Sequence, residues 1–151
     1  MLNDLDRSLL RQLQAESTLT VAELGQRAGV TALKTMRRLG RLQESGILRG
    51  YHAVIDWRVL GYFVEVSLRI TLDKTHARTF DEFLDAARAI AEVTEIQTFL
   101  GRVDVRLSVI ARDMAHYQTI YRKNILALPH MADIEALMTV ATLKDDESFP
   151  L

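Results

Sequence analysis

The sequence predicts an α+β fold in two parts, and three observations carry that expectation. The first 46 residues hold three apolar-striped segments with helix start and stop signals. After Gly46 the period changes to a stretch rich in β-formers. From Phe63 onward, four segments alternate apolar with polar residues, and two helical segments are interleaved among them.

Composition bounds the rest. A chain of 151 residues holds one domain or two small ones. With 48% hydrophobic and 26% charged residues it is ordinary globular material. The absence of cysteine excludes a disulfide framework and a thiolate metal site. Met-Leu-Asn-Asp-Leu-Asp at the start lacks the regions of a signal peptide. No apolar run approaches the ~20 residues that span a bilayer. A soluble, cytoplasmic protein with no membrane partner is expected.

Residues 3–15 predict a first helix. Asn3 suits the N-cap, Asp6 the helix dipole, and Leu5, Leu9 and Leu13 form one stripe with Leu2 and Leu10 at its edges. Gln14 to Thr18 is a polar break. Thr20 and Glu23 have the spacing of a capping box. A short helix through Ala28 follows, with Val21, Leu24 and Ala28 facing inward. Gly29-Val30-Thr31 then turns into a third helix, capped by Thr31 and stopped by Gly46. At about 100° per residue, Lys34, Arg37, Arg38 and Arg41 fall on one face, while Met36 and Leu39 point toward a core.

Taken alone, a basic stripe is usually solvated surface. Its setting favours more. Residues 27–51 hold six cations against Glu44, a net +5 in a chain of formal net charge −1, so the rest carries −6. A local positive patch on an acidic remainder suits a polyanion. Two capped helices, a Gly turn and a basic outer face make a helix-turn-helix, whose second helix enters the major groove of double-stranded DNA. Thr31, Leu33, Lys34, Thr35 and Arg38 are expected to meet bases or nearby phosphates. Arg37, Arg41 and Arg49 are expected to hold the backbone.

Ile47 to Asp56 reads as a strand or connector and Trp57 to Gly61 as a short link. This places a helix-turn-helix domain at 1–50, a linker strand at 51–62 and a second domain at 63–151. The second domain opens with the clearest strand signal. Val64, Val66, Leu68, Ile70 and Leu72 alternate with Glu65, Ser67, Arg69 and Thr71. A helix over 77–91, strands at 95–100 and 103–109, a helix from Asp113 to Leu128-Pro129 and a strand through Ile134, Ala136, Met138 and Val140 follow. Residues 144–151 read as a polar tail. The order βαββαβ is ferredoxin-like, with both helices on one sheet face. Phe99, Leu137, Ala141 and Leu143 fall on the other face, so a partner should cover it, and at least a homodimer is expected.

Enzymatic signals are absent. His52, His76, His116 and His130 are isolated, with no metal spacing. There is no phosphate loop, nucleophile elbow or acid–base pair, so catalytic residues, metal and cofactor are all expected to be none. The turn Leu100, Gly101, Arg102, Val103, Asp104 is the best small-molecule candidate, because a tight glycine turn with both charge signs can meet a carboxylate. On the residues alone, a plain hairpin turn is the simpler reading.

The chain resembles the Lrp/AsnC (feast/famine) family of transcription regulators. The likeness begins at Leu5-Asp6. It is densest over Glu23-Leu24, Gly29-Val30-Thr31, Arg37-Arg38-Leu39, Arg41-Leu42, Gly46-Ile47-Leu48 and Gly50-Tyr51. The resemblance implies an N-terminal winged-type helix-turn-helix joined to a ferredoxin-like ligand-sensing domain. It also implies dimers that assemble to tetramers or octamers, and an amino-acid effector near the turn at Leu100–Asp104. Two departures stand out. Where that family often has Pro, this chain has Ala32-Leu33-Lys34. Its effector turn commonly reads Gly-Asp-x-Asp-Tyr, and here it reads Gly101-Arg-Val-Asp-Val105. Arg102 therefore implies either an unusual effector, such as one with an extra acid group, or a weakened site. The expected function is a sequence-specific transcription regulator. The alternatives are an architectural DNA-compacting protein of low specificity and an amino-acid-binding module that does not act on DNA.

Overall fold

The computed structural model describes residues 2–144 and 148–151. They form two units. One holds the residues up to Val54 together with 144 and 148–151, and the other runs from Ile55 to Leu143.

The first unit is three helices: α1 (Asp4–Ala15), α2 (Val21–Arg27) and α3 (Ala32–Glu44). Each begins where a side chain can replace missing backbone partners. The Asn3 side chain accepts from the Asp6 N–H, and Asp6 returns the bond, so α1 starts with a capping box. Thr20 and Glu23 do the same for α2. Their bonds hold the Glu23 carboxyl below its ordinary pKa, the Thr20 N–H contributing most and its hydroxyl next. Thr31 caps α3 by accepting from Lys34 N–H at 3.3 Å. Gly29 and Gly46 take φ values of 67° and 71°, the left-handed conformation that ends α2 and α3 at little steric cost.

Leu9, Leu10, Leu13, Leu24, Leu39 and Leu42 make the core of this unit. The 148–151 segment joins it, against the expectation of a free polar tail. Leu151 packs against that leucine cluster. Gln14 and Phe149 exchange two hydrogen bonds, the Phe149 N–H donating to Gln14 Oε1 at 2.6 Å and Gln14 Nε2 donating to Phe149 O at 3.3 Å. The acids at 145–147 of that expected tail lie outside the described residues.

The second unit is the βαββαβ order expected: β1 (Val64–Leu72), α4 (Thr79–Arg88), β2 (Val93–Thr98), β3 (Val105–Ala111), α5 (Met114–Ile120) and β4 (Met131–Met138). The sheet order is β2-β3-β1-β4, antiparallel throughout. Val66, Leu68, Ile70 and Leu72 face the helices together with Val105, Leu107 and Val109, and bury against Phe83, Ala87, Tyr117, Ile120 and Ile125. Period-two alternation gives this result: one side of β1 and of β3 is fully apolar.

Several expectations are corrected. The stretch 51–62 forms no strand, because none of its residues pairs into a ladder. The last helix does not run straight to Pro129. After Ile120 it widens into one turn of π-helix (Tyr121–Ile125), with the Leu126 N–H reaching Tyr121 O at 2.9 Å. The open sheet face is more polar than expected. There Arg69 stands opposite Glu135 and meets it at 3.7 Å, while Arg106, opposite Gln97, reaches diagonally to Glu95 at 2.6 Å. Ala141 and Leu143 lie beyond the end of β4.

Candidate nucleic-acid interface and effector turn

The helix-turn-helix is set by one close approach. A Cβ on Gly25 would lie 2.8 Å from Val30 O and 2.9 Å from Thr35 Oγ1, so only glycine lets α2 sit this near the start of α3. The Val30 N–H donates to Gly25 O at 2.8 Å and closes the turn. Thr35 completes it from the other side. It is fully buried, and its hydroxyl donates to Thr31 O at 3.1 Å. This corrects the expectation that Thr35 meets bases: it lies on the same line as Leu39 and Leu42, four and seven residues on, and packs the motif together.

The remaining candidate residues sort by exposure. Thr31, Leu33, Lys34, Arg37, Arg41 and Arg49 are exposed. Among the described residues, Lys34, Arg37, Arg41 and Arg49 have no carboxylate partner. Arg38 differs. Its guanidinium is partly buried and stands 3.6 Å from Asp6, the buried acid of the first capping box. It ties α3 to the start of α1. Arg27, the sixth cation of the patch, pairs with Glu16 at 2.9 Å. The uncompensated charge is thus narrower than composition implies: apart from Arg49, it lies along one flank of α3. Met36 also moves: it is exposed, where a core position was expected, and Val21 of α2 is at the surface too.

The turn between β2 and β3 is closed by its ends. The Phe99 N–H donates to Asp104 O at 2.9 Å, and the Asp104 N–H donates to Ile70 O at 2.9 Å. The Asp104 side chain turns inward. One oxygen accepts from Leu72 N–H at 2.9 Å and the other meets Lys74 Nζ at 2.6 Å. Burial pushes this carboxyl up, but the Lys74 ammonium and the Leu72 N–H outweigh it, and the net shift is downward. The charge of Asp104 is therefore already engaged by β1 and the loop after it. Arg102 is exposed, and its guanidinium has no partner among the described residues. Its carbonyl accepts from Thr71 Oγ1 at 3.0 Å. The main-chain N–H groups of Leu100, Gly101, Arg102 and Val103 donate to nothing among the described residues. Leu100 is fully exposed and Val103 half-buried. Lys74 carries no signal in the sequence, because it lies 30 residues away from its partner and outside any motif.

Among the described residues there is no group of three His, Asp or Glu placed to hold a metal ion. No helix among them is long and apolar enough to cross a membrane.

Comparisons with known proteins agree with this architecture. Residues 2–49 match the model for a winged helix-turn-helix DNA-binding domain, and residues 65–149 match that of the Lrp/AsnC ligand binding domain. The chain is 28% identical over 143 residues to the proline dehydrogenase transcriptional activator of Rhodobacter capsulatus, covering 95% of this chain and 93% of that one. An AsnC family transcriptional regulator from Agrobacterium tumefaciens shares its fold at a TM-score of 0.89 and 28% identity, covering 99% and 97% of the two chains. A regulator from Neisseria meningitidis, solved as an L-Met complex, superposes at a TM-score of 0.91 with 23% identity over 99% of this chain and 97% of that chain. That likeness is one of fold. A helix-turn-helix with an unneutralised cationic flank and a βαββαβ unit, each matching its family model, place the chain among transcription regulators, not enzymes: it belongs to the Lrp/AsnC family.

Proposed function

We propose that this chain regulates transcription by sequence-specific binding of double-stranded DNA through α3, and that a small effector bound at the β2–β3 turn modulates it. The observation that supports the DNA reading best is the set Lys34, Arg37 and Arg41: exposed, unpaired and on one flank of a helix whose N-terminus is capped and open. Phosphate contacts release condensed counterions, so each one steepens the salt dependence of binding. Arg41→Ala should weaken binding to all sequences and flatten the slope of log affinity against log salt by about one ion. A salt titration by fluorescence anisotropy reads both quantities, and an unchanged slope would remove Arg41 from the interface. Arg38→Ala should instead lower thermal stability, because it leaves the buried Asp6 carboxylate without its cation and with the Asn3 N–H to satisfy it. Thr31, Leu33 and Arg49 complete the proposed contact surface. An excess of random DNA separates this reading from architectural compaction: specific complexes survive it.

The effector reading is supported by the four unused N–H groups of Leu100–Val103 and by the free Arg102, which together suit an anionic group. It is supported too by the ligand-binding family model and by the L-Met complex of the Neisseria relative. A second copy of this chain is the proposed cover for the exposed apolar side chains of the linker and of the turn, among them Ile55, Val59, Phe63 and Leu100. Such homodimers would assemble further to tetramers or octamers and would present two α3 helices to DNA. A thermal-shift screen of the amino acids, run on the wild type and on Arg102→Asp, tests the turn. The expected result is a ligand whose stabilisation of the wild type is lost in the variant. Equal shifts in both would place the effector elsewhere.

A further inference from the structure

We infer that Leu33 and Met36 read the 5-methyl groups of thymines in the major groove. This rests on the proposed DNA-binding role of α3.

The buried line of α3 is Thr35, Leu39 and Leu42. At about 100° per residue, Leu33 lies about 160° from Thr35 and Met36 about 100°. Leu33 is therefore almost opposite the core, and Met36, three residues on, is its neighbour along the surface. Both are more than half exposed, at 54% and 55%. Lys34, Arg37 and Arg41 occupy the other flank. The outer face of α3 is thus divided lengthwise, cations on one side and two large apolar side chains on the other.

Neither side chain belongs to the leucine core of this unit or packs against it. A helix destined only for water would carry polar residues there. Neither side chain can donate or accept strongly, so neither can read the hydrogen-bonding pattern of a base edge. In the major groove one base feature is apolar, the thymine methyl group. The cationic flank fixes which polyanion lies against the helix, and the apolar flank then faces the base edges beside it. Gly40 supports the assignment. It lies four residues beyond Met36, and a Cβ there would meet nothing within 4 Å. The helix is bare at that point, which leaves the flexible thioether side chain of Met36 free to track the groove floor.

The test uses the full chain and a duplex that it selects from a random library. Each thymine is replaced singly by uracil, which removes the methyl and nothing else. Affinities are measured at one salt concentration. A few positions should cost about fourfold each, the value of burying one methyl group. Leu33→Ala and Met36→Ala should each make thymine and uracil equivalent at one of those positions, with unchanged melting temperature because both side chains are exposed. Arg41→Ala should weaken binding to both duplexes and keep their ratio, since a phosphate contact does not sense the methyl. If no uracil position lowers affinity, or if the loss persists unchanged in both alanine variants, the inference is wrong while DNA binding stands. If the wild type binds no duplex at low salt, the DNA-binding reading itself falls, and methyl recognition with it.

Discussion

Asp104 shows how one residue can be legible in place and not in role. The glycine turn at 100–104 stands where the sequence predicts it. The carboxylate, however, is turned inward onto Lys74 and the Leu72 N–H. Its folded pKa lies below the ordinary value, so its contribution to stability is complete above about pH 4. That contribution is lost as the pH falls through the depressed folded value. Asp104→Asn keeps an oxygen for Leu72 but cannot titrate. Urea unfolding between pH 7 and 3 should therefore show a shallower acid loss in the variant than in the wild type, and equal slopes would mean that the ion pair with Lys74 does not act in solution. Thr35 carries a similar lesson. Its helical spacing to Leu39 and Leu42 already marks it as buried, and the polar side chain conceals that. Gly25 is not legible in this way, because Gly40 is also an interior helix glycine and a Cβ there would meet nothing within 4 Å.

At the scale of elements, legibility depends on how local the cause is. Caps are set within three residues, and the caps at Asn3 and Thr31 and the capping box at Thr20 all stand where the sequence puts them. Strand faces come from alternation, so the apolar side of β1 and β3 needs no tertiary information. Ends are less legible. β2 begins two residues earlier than expected, and β3 both starts and ends two residues later. The π-turn after α5 has no signature in the apolar spacing, because widening by one residue only re-aims the chain beyond it. Met36 departs from expectation for a related reason. A single apolar residue on a helix declares no direction, and only its neighbours Thr35 and Leu39 fix which line is buried.

At the scale of the whole molecule, the partition of the chain is the least legible feature. Two domains are implied by the change of period near residue 50. The return of the last residues to the first unit is not, because its cause is a contact between residues about 135 apart: Phe149 on Gln14. Deleting residues 144–151 should therefore lower the melting temperature of the helical unit and leave that of the sheet unit unchanged. Calorimetry on the full chain and the truncated one distinguishes the two transitions, and equal shifts in both would contradict this division.

That return has a topological consequence. The sheet unit is a guest spliced into a helical host, leaving it at residue 55 and re-entering at 144. During synthesis the host's last strap, Phe149 on Gln14, can close only after the whole of the guest has been made.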